Sequence, residues 1–130
     1  MRIRELSVVL PGLALLLASS ACNKSHSDGD YKIASTPAEA SSQIAQAFQS
    51  APAAVKEPAT TAAAAMRDGD FEKAVVSLQV IRQSEALTLE QGLAIHSSVV
   101  ALEARLINAM QAGDPNARRA YELLKQLKRN

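Results

Sequence analysis

From residue 36 onward, apolar side chains recur every three or four positions, and nowhere do they alternate in twos. Spacing of this kind is the mark of helices with one buried face, and period-two strands are not indicated. Thr36-Pro37-Ala38-Glu39 opens the first helix. Thr36 can cap it, Pro37 suits the first helical position, and Glu39 completes a capping box. Ala40, Ile44, Ala47 and Phe48 then share a face, and Pro52 ends or kinks the segment. The alanine-dense stretch 53–68 is interrupted by Pro58 and predicts a helix from about Pro58 to Arg67, with an extension before the proline left open. Asp68-Gly69-Asp70 reads as a turn in which Gly69 takes a positive φ and Asp70 caps the next helix.

That next helix carries the stripe Phe71, Ala74, Val75, Leu78 and Ile81. Thr88-Leu89-Glu90-Gln91 repeats the capping-box pattern and starts the longest helix, about 89–112. One of its ridges holds Ile95, Val99, Leu102, Leu106 and Ala109; a second holds Leu93, Val100 and Ile107. Two apolar ridges predict contact on both sides, hence a central helix. Gly113 stops it, and Asp114-Pro115 starts a last helix on which Ala117, Ala120, Tyr121, Leu124 and Leu127 align. The links are short and imply antiparallel neighbours. The expected fold is all-α, four to five short helices stacked as antiparallel hairpins in a single domain over residues 36–130.

The start of the chain follows other rules. Arg2 and Arg4 precede an uncharged apolar run of thirteen residues, 6–18, broken by Pro11 and Gly12. This is shorter than the roughly 20 residues of a membrane-spanning helix and matches the apolar core of a secretory leader. Small residues Ala18 to Ala21 follow, and then Cys22, the one cysteine in the sequence. A lone cysteine excludes an internal disulfide and a multi-cysteine zinc site. The run Leu16-Leu17-Ala18-Ser19-Ser20-Ala21-Cys22 resembles the leader of bacterial lipoproteins. The resemblance implies cleavage after Ala21, a diacylglycerol on the Cys22 sulfur and acylation of its amine. Asn23 stands where inner-membrane retention would show an aspartate, which by the same resemblance implies the outer membrane, facing the periplasm. The alternative is an ordinary leader cut at the same bond, giving a secreted or soluble periplasmic protein with an unpaired thiol in an oxidising compartment. The expected organisation is a signal peptide over 1–21, a lipid-anchored flexible tether over 22–35, polar and without periodicity, and the helical domain.

Within that domain, residues 58–84 resemble a tetratricopeptide repeat. Ala62 and Ala65, then Gly69-Asp70-Phe71-Glu72-Lys73-Ala74, then Leu78 and Ile81 carry the likeness. Small residues let two antiparallel helices approach, the glycine turns the chain, and the aromatic wedges at the start of the second helix. Residues 89–129 form a second, degenerate hairpin in this reading, with Gly113-Asp114 at the turn and Pro115 in place of the aromatic.

Chemistry is sparse. His96 is followed by Ser97 and Ser98, which point elsewhere on a helix, and Glu103 lies two turns on, about 10 Å away. Gly69, Gly92 and Gly113 are isolated, so no phosphate loop is indicated. His26, Asp28 and Asp30 are too few for a calcium loop. The net charge of +1 selects no partner by itself. Residues 85–116 lean acidic, and the last fourteen carry Arg118, Arg119, Lys125, Lys128 and Arg129 against Glu122, as suits the end of a terminal helix. With four aromatics and no tryptophan, no base-stacking surface is indicated. The expectation is a non-enzymatic envelope protein without cofactor, metal, nucleic acid or small-molecule substrate. It is attached to the membrane through lipid on Cys22 and acts as an interaction or scaffold module for an envelope protein. The alternative is a structural, self-associating lipoprotein with no specific client.

Overall fold

A computed structural model of the chain describes residues 30–130; the leader, Cys22 and the tether up to Gly29 lie outside the described residues. The described part is all-helical: α1 Pro37–Ala47, α2 Ala53–Asp68, α3 Phe71–Arg82, α4 Leu89–Gln111 and α5 Pro115–Arg129.

The helix boundaries follow local chemistry. Thr36 accepts from the Glu39 N–H at 3.2 Å. The reciprocal half of the expected capping box is displaced by one residue. The Glu39 carboxylate accepts from the backbone N–H of Ser35 at 2.9 Å and its hydroxyl at 2.8 Å, not from Thr36. These two bonds, the backbone one first, hold the Glu39 carboxyl below its usual range. α1 stops at Ala47, ahead of Pro52, because the chain turns so that Phe48 enters the core. α2 starts at Ala53, a full turn before Pro58. The proline removes the N–H that would bond the Ala54 carbonyl, and Ala54 is exposed, so water can take that acceptor. Gly69 closes α2 at φ +77° and Asp70 caps α3 through the Lys73 N–H. Gly113, at φ +88°, turns the chain between α4 and α5. Both halves of the Thr88–Gln91 capping box form.

α2 and α3 make one antiparallel hairpin, and α4 and α5 make another. They stack through α3, which packs on α5 and over a shorter stretch on α4. α1 closes the other side. It packs on both α2 and α4, which do not touch each other. The space between the first helices of the two hairpins is therefore filled by the chain itself.

Helix α4 is central, in contact with α1, α3 and α5. Its first ridge is buried as the periodicity predicts. The expected second ridge is not the one that packs: Val100 is 38% exposed and Leu93 and Ile107 are half-buried. The second buried surface is made instead by Gln91, Ala94, Ser97, Ser98 and Ala101. Small side chains let α1 come close, and close approach maximises dispersion contact. On α1 and α2 the matching positions are also mainly small: Ala40, Ser41, Ala59, Ala62 and Ala63.

Candidate functional site

Two built features stand out, one on each side of α4. On the α1 side, a polar clamp fixes the entry of the chain. Ala34 donates its N–H to Ser97 Oγ at 2.6 Å, Ser97 donates to Gln43 Oε1 at 2.5 Å, and Gln43 Nε2 donates to the Lys32 carbonyl at 2.8 Å. Ser97 is fully buried and Ala34 is in the core. Residues 32–35 fall in the tether by sequence, yet they are held by hydrogen bonds to α1 and α4. Immediately before them, the Tyr31 hydroxyl is pushed above its usual range, first by burial and then by the Glu90 carboxylate. The chain thus reaches the domain beside the N-terminal end of α4. Gln91 adds a further tie, donating Nε2 to the Ala47 carbonyl at the end of α1 at 3.3 Å.

On the opposite side lies a groove of about 500 Å³. It follows from a mismatch in helix length. α4 has 23 residues and α5 has 15, about 34 Å against 22 Å. α5 therefore runs out before α4 does, and the N-terminal half of α4 is left uncovered along the α5 track. Gly92, Ile95, His96, Val99, Val100 and Glu103 line that half, spaced three and four apart along three helical turns. Leu87 and Arg82 close one edge and Lys128 the other.

The floor is aliphatic and the charges sit at the α5 end. Lys128 Nζ bonds both Glu103 oxygens, at 2.8 and 2.9 Å. That hydrogen bond keeps the Lys128 ammonium above its usual range. Arg82 donates to the Leu127 carbonyl in the last turn of α5, where unpaired carbonyls and the helix dipole favour a cation. These contacts fasten the end of α5 and define the groove mouth.

His96 is exposed on the groove wall, and no hydrogen bond engages its ring among the described residues. Glu103 is engaged by Lys128, across 25 residues, and not by His96. No helix-spacing argument reaches that pair, which depends on where α5 ends, nor does one bring Arg82 on α3 to α4. Among the described residues, no group of three or more His, Cys, Asp or Glu side chains is placed to hold a metal ion. Cys22 lies outside the described residues. No family model, curated protein or solved structure matches the chain.

Proposed function

We propose that this chain is a lipid-anchored protein of the bacterial cell envelope, held through Cys22, whose helical domain is a protein–protein interaction or scaffold module. The anchor rests on the sequence: a charged start, a short apolar run, small residues and then a single cysteine. A diacylated, N-acylated cysteine supplies several chains, enough for stable attachment, where one acyl chain binds only marginally. Asn23 favours the outer membrane. The residues that resemble a tetratricopeptide repeat, centred on Gly69-Asp70-Phe71, fit a module that works by presenting helix faces to other proteins.

The observation that carries the interaction reading is the groove on α4. Its floor is aliphatic and three turns long, a shape that accepts a helix by its apolar anchors. Helix α4 is also more apolar than its burial requires. Its most hydrophobic 18-residue window has a mean hydropathy of 1.2, and 39% of it is buried. Leu89, at 80% exposure, stands at the head of this open face.

Two measurements on the full chain test the proposal. Radiolabelled palmitate is expected on the wild type and absent from Cys22→Ala; its absence from both contradicts the anchor. In-cell crosslinking of a C-terminally tagged chain, followed by mass spectrometry of detergent-extracted complexes, is expected to yield a stoichiometric adduct that depends on Cys22. No adduct of any kind contradicts the interaction module.

A further inference from the structure

Five large apolar side chains are exposed among the described residues: Ile33, Val76, Val80, Leu89 and Val100. Val76 and Val80 lie on α3, and Val100 lines the groove. Ile33 and Leu89 stand where the chain enters the domain. The entry segment runs beside the first two turns of α4: Tyr31 is near enough to Glu90 for the carboxylate to act on its hydroxyl, and the Ala34 N–H bonds Ser97 Oγ. Local structure asks for an apolar side chain at neither position. Thr88 and Gln91 secure the start of α4 and leave Leu89 80% exposed. Lys32 and Ala34 hold the segment through backbone groups, and Ile33 between them is 38% exposed.

Single exposed aliphatics need no explanation. At these two the covalent chain sets what lies opposite. Cys22 and Tyr31 are nine positions apart. Nine residues reach at most about 30 Å when fully extended. The clamp fixes that length, because residues 32–35 are bonded to α1 and α4 and add nothing to the tether. A lipid on Cys22 therefore keeps this end of the domain close to the bilayer. We propose that this end docks on the membrane that carries the anchor, with Leu89 and Ile33 entering the boundary between headgroups and acyl chains and Tyr31 beside them at headgroup level. A tyrosine suits that depth, since its ring is apolar and its hydroxyl polar. Two aliphatic side chains are too few to bind a free domain to a bilayer, but the tether makes the contact intramolecular, so a weak one suffices. Charge does not carry it: Lys32 is the one cation of residues 30–33, and Asp30 and Glu90 offset it. The contact is therefore insensitive to salt, unlike one made by a basic patch.

The docking rests on the anchor reading, and one experiment separates the two. The full lipidated chain is reconstituted in phosphatidylethanolamine–phosphatidylglycerol vesicles that contain nitroxide-labelled lipid. An apolar bimane label is attached at Leu89→Cys or, as the reference, at Val76→Cys, which is exposed on α3. Lipidation leaves Cys22 without a free thiol, so each label has one target. Nitroxide lipid is expected to quench the label at 89 about twofold or more above the label at 76, at low and high salt alike. Ile33→Glu, added to the chain labelled at 89, is expected to bring the two labels level while the helical melt is unchanged. Equal quenching at both positions in vesicle-bound chain overturns the docking, leaves the anchor standing and frees this end for a protein partner. Quenching at 89 that is lost in high salt, or that Ile33→Glu leaves untouched, overturns the apolar contact. A chain that does not float with the vesicles overturns anchor and docking together.

Discussion

The two sides of α4 hold the protein together by different means. Toward α1 the helix presents Gln91, Ala94, Ser97, Ser98 and Ala101, which are buried although three of the five are polar. Toward α3 and α5 it presents Ile95, Val99, Leu102 and Leu106, aliphatic throughout, and there the packing gives way to an open groove where α5 ends. The small side gains from close approach and from hydrogen bonds that are completed inside the fold. The aliphatic side gains from area removed from water, which needs no fixed geometry and can be left partly uncovered. That difference explains why the interior is sealed by α1 while the surface free for contact lies on the aliphatic side.

The largest effect is expected where the aliphatic side is fully enclosed. Leu102→Asp places an unpaired charge at a position with no exposure and is expected to cost more than about 4 kcal/mol, enough to abolish a cooperative helical melt. A retained melt would break the distinction, since it would mean that this ridge does not bear the fold. Next comes the small side. Ala94→Leu adds bulk where α1 lies against α4 and is expected to cost about 1–3 kcal/mol by overpacking, measured by denaturant unfolding.

Ser97→Ala tests the clamp and not the contact area. It leaves the Ala34 N–H and the Gln43 carbonyl oxygen without their partner, for about 1–3 kcal/mol. Faster hydrogen exchange at Ala34 is expected with it; unchanged exchange there would mean that the entry segment is held by something else. The smallest effect is at Ser41, whose Oγ is buried with no hydrogen-bond partner among the described residues. Ser41→Ala removes an unsatisfied group and is expected to be neutral or to stabilise by up to about 1 kcal/mol in the same unfolding assay. The opposite signs at two buried serines, Ser97 and Ser41, separate a serine that builds the interface from one that burdens it.

Much of this fold was legible in the sequence, for reasons visible residue by residue. Thr88 with Gln91, Asp70 before Phe71, and Asp114 before Pro115 mark helix starts because their chemistry is local. The stripe Ala74, Val75, Leu78, Ile81 is buried as its spacing predicts. The second packed side of α4 was misread because hydropathy weights size. Leu93, Val100 and Ile107 look like core, but Val100 is exposed and the other two are only half-buried, while alanines and serines take the interface where helices approach closely. The clamp joins residues 63 and 54 positions apart, and the groove depends on the end of α5 relative to α4. Neither leaves a periodic signal. Gly92, a glycine inside a helix with no turn to serve, is one trace of the groove in the sequence, beside the apolar Val100.

The most direct test of the account is a photo-crosslinking pair in cells, made in the full chain with its leader intact. A benzoyl-phenylalanine at Val100 lies in the groove, and one at Ala104 is exposed on the same helix without lining the groove. A specific intermolecular adduct from position 100, absent from position 104 and lost when Cys22 is replaced by alanine, is the predicted result. Equal adducts from both positions, or none from position 100, would contradict a membrane-held protein that works through the open side of α4.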